Sequence, residues 1–161
     1  MTRNLLVGPA ATIVKSVQTG AAGHTVLDLT PVYAFALEHA TRGVVLRHDG
    51  SVLIQDEITA DGDRHSVRWG MVTAAAIEIT APDRATLTLD GKQITAYLLA
   101  PADAAFTLGD LTPPHDWNAP NAEPLLQCLI TLPAGASTRI AAQLVPPDAE
   151  PATTAEPIAD W

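Results

Sequence analysis

The chain has 161 residues, 47% of them hydrophobic and 17% charged, which suits one globular domain with a single core and not a disordered polymer. Its formal net charge of −9 argues against nucleic acid or an anionic membrane as a partner, since both need clustered Lys and Arg. Cys128 is the only cysteine, so no disulfide forms within the chain, and no apolar run approaches the roughly 18 residues of a membrane span.

Residues 4–7 and 12–18 read as two short strands joined at Gly8-Pro9. Arg3 followed by LLVGPAATIV superficially resembles an export signal, but Gly8-Pro9 interrupts the apolar run and the cleavage site is poor. The chain reads as cytoplasmic, or as a piece whose export signal lies upstream. A third strand begins at His24, with Thr25, Leu27 and Leu29 on one face and His24, Val26 and Asp28 on the other. Thr30-Pro31 ends it, and residues 32–40 have room for a helical turn or two.

Two apolar, β-branched runs follow, 42–48 and 51–58, separated by Asp49-Gly50. Such a dipeptide predicts a two-residue type I′ hairpin, because both central residues need positive φ. That turn would set Val45 opposite Ile54, Leu46 opposite Leu53 and Arg42 opposite Glu57. Asp56 shares a face with Val52, Ile54 and Ile58, so its carboxylate must find a partner on an apolar surface.

After a turn at 60–63, residues 65–72 read as a strand with Val67 and Trp69 on one face and Ser66, Arg68 and Gly70 on the other. Residues 76–80 and 85–89 are strands, and Asp90-Gly91 predicts a second hairpin pairing Leu89 with Lys92 and Leu87 with Ile94. Residues 109–122, rich in Pro, Asn and Asp, read as a long loop. A last hairpin is expected from 125–132 and 138–145 across Pro133 to Gly135, followed by a mobile tail over 147–161 with only Ile158 and Trp161 to bury. The fold expected is all-β: an antiparallel β-sandwich of about a dozen short strands over residues 1–146, with no internal repeat.

Five blocks stand out in order and spacing: Asp28-Leu29-Thr30-Pro31-Val32-Tyr33, Arg42-Gly43-Val44-Val45-Leu46, Val52-Leu53-Ile54-Gln55-Asp56-Glu57, His65-Ser66-Val67-Arg68-Trp69 and Ala85 to Lys92. Together they resemble the later β-sandwich portion of the heparinase II/III-like polysaccharide lyases, and the likeness spans roughly residues 4–146. The resemblance implies a β-sandwich that supports or contacts a polysaccharide without being catalytic by itself. It also implies a missing helical toroid domain as partner. In that family a histidine precedes an asparagine near a metal site; here Thr2-Arg3-Asn4 stands at the corresponding place, without the histidine. No catalytic residue, cofactor or metal is therefore carried over. Whether the chain belongs to an enzyme at all stays open, and the alternative is a non-enzymatic carbohydrate-binding or interaction module.

Among candidate sites, the loop His115, Asp116, Trp117 and Asn118 has the chemistry of a sugar contact: a ring to stack on and three polar groups for hydroxyls. Trp117 folded back as a core plug is the competing expectation. His24 and Asp28 are separated by roughly 13 Å along their strand, too far to share an ion unaided. Tyr33 is expected to cover the sandwich edge, and Cys128 within LLQCLI to be a buried, inert thiol. Arg64, Arg68, Arg84 and Lys92 are the residues from which a basic patch could be built. The sequence carries no Gly-rich phosphate loop, GxSxG or H-E-x-x-H motif.

Overall fold

The computed structural model describes residues 8–111 and 123–161. Among these residues, eleven strands form two antiparallel sheets. They run in chain order β1 (Thr12–Thr19), β2 (Ala22–Asp28), β3 (Leu37–Leu46), β4 (Val52–Ala60), β5 (His65–Val72), β6 (Ala76–Ala81), β7 (Arg84–Leu89), β8 (Lys92–Ala100), β9 (Phe106–Gly109), β10 (Leu125–Leu132) and β11 (Ser137–Val145). One turn of helix, α1 (Thr30–Tyr33), links β2 to β3, with Pro31 at its first turn where a missing N–H costs nothing. The large sheet has the order β1-β2-β3-β4-β11-β8-β7-β6, and the small one β5-β10-β9.

The core lies between the sheets. Leu126, Cys128 and Ile140 are almost wholly enclosed there, and Trp69 packs against Phe106 with ring centroids 6.3 Å apart. Ala40, Ala60, Ala85, Ala96 and Ala142 line the same layer with essentially no exposure. This abundance of small residues leaves room for the few large rings of a chain with 4% aromatics. Cys128 is the buried thiol expected, and loss of hydration pushes it up to about 11, so it is neutral and unreactive at physiological pH.

Three sequence expectations are corrected. The turn after β3 is a three-residue loop: the Gly50 N–H donates to the Arg47 carbonyl at 3.0 Å, and the Arg47 N–H to the Ser51 carbonyl at 2.9 Å. Gly50 has φ +80 while Asp49 stays at negative φ, its carboxylate accepting from the Ser51 N–H at 2.9 Å. That is a type I turn closed by a left-handed residue, in place of a type I′ turn. The register moves by one: Val45 faces Leu53, Val44 faces Ile54, and Arg42 faces Asp56 instead of Glu57.

The second correction concerns β10 and β11, which are not a hairpin. β10 lies between β5 and β9, and β11 between β4 and β8, so the link at 133–136 passes from one sheet to the other. Backbone bonds pin that link to the end of β4, Ala60 N–H to Ala136 carbonyl and Gly135 N–H to Asp61 carbonyl. The third is that Leu37 to Ala40 begin β3, leaving the helix only Thr30 to Tyr33. The Asp90-Gly91 hairpin has the register expected, Leu89 with Lys92 and Leu87 with Ile94.

The segment 147–161 carries no strand, but it is anchored across the outer face of the large sheet. Gln143 accepts the Ala152 N–H at 2.8 Å, Arg139 donates to the Ala155 carbonyl at 2.6 Å, and Gln55 donates to the Glu156 carbonyl at 2.7 Å. Glu57 accepts the Ile158 N–H at 3.0 Å, and Ile158 itself is buried. Trp161 lies over Gly43, where an added Cβ would meet its Cζ3 at 2.2 Å, and Lys15 donates to its carbonyl. Only glycine leaves β3 flat enough for the ring to lie there.

Candidate functional site

The small sheet has three strands and the large one eight, and β5 lies at an edge of the small one. Where β5 ends the small sheet, a groove of about 290 Å³ opens between it and β3, β4 and β11. Its floor is apolar: Leu37, Ala40, Ile58 and Ile140 from the large sheet, Val67 and Trp69 from β5. Tyr33 and Phe35 stand at its lip, because α1 and the residues after it turn the chain outward between β2 and β3. Phe35 is 80% exposed, Tyr33 is 41% exposed, and their rings are 6.4 Å apart.

One charged pair sits in this groove. The Arg42 Nε donates to Asp56 Oδ1 at 2.7 Å and its Nη2 to Oδ2 at 2.8 Å, so both carboxylate oxygens are engaged. The Asp56 side chain is 9% exposed and that of Arg42 40%. The bonds to Asp56 hold the Arg42 guanidinium above its ordinary value, although partial burial pulls the other way. Such bidentate geometry fixes both groups and pairs the Asp56 carboxylate with a compensating charge. The bond to an arginine, and not backbone donors at a strand end, satisfies this carboxylate.

His65, at the start of β5, bonds through Nε2 to Asp61 Oδ1 at 2.7 Å. That bond is the main reason the Asp61 carboxyl lies below the usual carboxylate range, the Asp63 N–H adding to it. Arg68 lines the groove from β5, whereas Arg84 lies on β7 over the Tyr97 ring, 5.1 Å from its centroid. Arg68 and Arg84 therefore stand in different sheets.

His24 and Asp28 are engaged separately. Asp28 accepts the Thr30 N–H at 2.9 Å, and His24 meets Trp161 edge to face at 6.5 Å. Among the described residues, no three His, Cys, Asp or Glu side chains lie close enough to hold a metal ion, and no helix is long and apolar enough to cross a membrane. The loop residues His115, Asp116, Trp117 and Asn118 lie outside the described residues. Sequence reasoning missed Phe35 as a groove residue and missed the Arg42–Asp56 pair. The second was recoverable from Asp49, whose side chain favours a turn bonded to the residue two places on.

No family model matches the sequence, and no curated protein matches it. Solved structures do match the fold. Heparan sulfate lyase HepC from Pedobacter heparinus superposes with a TM-score of 0.66 at 14% identity, over 88% of this chain and 22% of the lyase. A heparinase III matches with a TM-score of 0.63 at 14% identity, over 85% of this chain and 21% of its own. A second heparinase III, with methylated lysines, gives 0.65 at 11% identity, over 84% and 21%. At these identities the likeness is one of fold, and the chain spans about a fifth of the length of the lyases it matches.

Proposed function

We propose that this chain is the supporting β-sandwich portion of a heparinase II/III-like polysaccharide lyase, corresponding to the later part of that family's C-terminal sandwich. In this reading it flanks the glycan and carries neither the acid nor the base. The observation that supports it is the asymmetry of the structural match, 88% of this chain against 22% of the lyase, with nearly the whole sandwich recurring inside a longer enzyme. The chemistry of the groove agrees. General acid–base catalysis needs groups free to move a proton at the reacting atoms. Here both Asp56 oxygens are held by Arg42, and the His65 ring is bonded to Asp61.

The remaining parts of the reading are a helical toroid domain as the catalytic partner and glycan contact through His115, Asp116, Trp117 and Asn118. The alternative, a non-enzymatic carbohydrate-binding module, draws on the exposed Phe35 and Tyr33 rings, since sugar rings stack on such surfaces. The test is absorbance of the unsaturated uronate product on heparin, heparan sulfate and alginate, beside calorimetric titration of the same glycans. The isolated chain should release no product. Trp117→Ala should lose whatever glycan binding the parent shows while melting at the same temperature. Product formation that persists through purification to homogeneity would overturn the supporting role.

A further inference from the structure

The face of the large sheet turned away from the small one is covered too. Val26, Leu53, Ala141 and Val145 are buried there although they lie outside the core between the sheets, and Gln55 and Gln143 have no exposure at all. Residues 147–161 cross this face, and β4 and β11 hold them by their main chain. Gln143 takes the N–H of Ala152, Arg139 the carbonyl of Ala155, Gln55 the carbonyl of Glu156 and Glu57 the N–H of Ile158. These holding groups are bonded to one another as well. Arg139 and Glu57 stand opposite each other on β11 and β4 with Nη2 and Oε1 3.0 Å apart, and Gln55 donates to the same Glu57 oxygen at 3.1 Å. Such mutual bonds set the shape of the cradle without help from the segment. Side chains of the segment add selectivity at two places, where Ile158 is buried and where Trp161 lies over Gly43.

The segment has the marks of a ligand. It joins neither sheet ladder, and Ile158 is its one buried residue. Its fit is incomplete: Gln55 Oε1 is buried without a partner, and Pro157, next to the carbonyl that Gln55 holds, has no N–H to give it. Its junction with β11 is Pro146-Pro147, where the Ala149 N–H donates to the Pro146 carbonyl at 3.1 Å. A segment held in this way opens locally while both sheets stay intact. Opening bares Val26, Leu53 and the two glutamines, and the cover that matches them is the same segment of another copy, which repeats every contact the first one made. We infer that this outer face is a peptide-binding cradle, occupied by residues 147–161 of its own chain and able to take the same segment from a second copy. The inference uses the outer face and not the groove, so it stands apart from the lyase reading.

The experiment uses a fluorescein-labelled peptide with the sequence of residues 147–161 and the full chain, either as it stands or weakened by Ile158→Ala with Trp161→Ala. The weakened chain should bind the peptide at least tenfold more tightly than the parent, whose own segment competes. Adding Gly43→Val to the weakened chain should reduce binding at least tenfold, with the circular dichroism spectrum unchanged. Equal affinity of parent and weakened chain, or binding indifferent to Gly43→Val, would overturn the inference. A measurement on the parent alone stands beside it: the Ala152 and Ile158 amides should exchange their hydrogens at least tenfold faster than the ladder amides of β4 and β11. Equal rates would mean that the segment opens only when the sheet does, and the cradle reading fails. Physiological salt screens the net charge of −9 on each copy. Under it, light scattering of the parent should show a dimer fraction that rises toward about 1 mM chain and that excess peptide dissolves. A chain that stays monomeric, or a dimer that the peptide leaves intact, would overturn the exchange between copies.

Discussion

Arg42 holds Asp56 through two parallel hydrogen bonds of 2.7 and 2.8 Å, from directly opposite positions on β3 and β4. The pair lies at the open end of the core, close to Trp69 and Ile140, with the carboxylate buried and the guanidinium reaching toward solvent. Removing one member of such a pair leaves the other without its compensating charge. Asp56→Ala should destabilise the fold by about 1–3 kcal/mol, the range for hydrogen bonds to charged groups, held below the fully buried case because Arg42 is partly hydrated. A double-mutant cycle with Arg42→Met checks it. If the loss in the double variant equals the sum of the two single losses, the two side chains do not interact energetically.

Gly50 is the hinge of that register. With φ at +80 it closes the loop in a conformation a β-branched residue resists. Gly50→Val should cost roughly 1–3 kcal/mol through backbone strain. Urea melts that superimpose on those of the parent would contradict the left-handed turn.

Three aspartates use one device: Asp28, Asp49 and Asp61 each accept the N–H of the residue two places on, from Thr30, Ser51 and Asp63. These bonds, with the Thr30 side-chain bond foremost at Asp28 and the His65 bond foremost at Asp61, depress all three carboxyls below their ordinary value of 3.8. A depressed folded-state value means the contribution to stability is fully present above the unfolded value and is lost as pH falls through the folded one. Melting temperature should therefore hold steady down to about pH 5 and drop below about pH 4, with most of the loss at lower pH. His65→Ala should shrink the part of that drop that comes from Asp61. Potentiometric or NMR titration of the three carboxyls checks the sign, and values at or above that of a free aspartate would refute it.

The terminal segment should contribute measurably to stability. Ile158 is buried on the outer face of the large sheet and Trp161 covers Gly43. Deleting residues 158–161 removes both, and burying one large aliphatic side chain is worth about 1.5–3 kcal/mol. Gly43→Val, which places side-chain atoms where the Trp161 ring lies, should reproduce much of that loss. Chemical denaturation of the two variants and of the combination checks it. Fully additive losses would mean that Gly43 and Trp161 do not act on each other.

The sequence by itself determined where most strands run, though not the start of β3 or β9, because alternation along a strand is local and repeats every two residues. It was enough for the Asp90-Gly91 hairpin, where both central residues adopt positive φ and no other register competes. It could not choose the register at Asp49-Gly50. Val44, Val45 and Leu46 face Val52, Leu53 and Ile54, runs that are apolar at consecutive positions, so slipping by one costs no visible hydrophobic match. Asp56 and Glu57 are both acids, so either register offers Arg42 a carboxylate. The turn decided between them. Nor could local pattern assign β10 and β11 to different sheets, since both strands bury side chains on both faces and a short link serves a hairpin or a crossover equally well. The groove forms where β5 of the small sheet meets β3, β4 and β11 of the large one, and the docking of residues 147–161 depends on Gly43, Gln55, Glu57, Arg139 and Gln143 meeting on one outer face. These are pairings between residues far apart in the chain, and long-range pairing is the one thing a two-residue period does not encode.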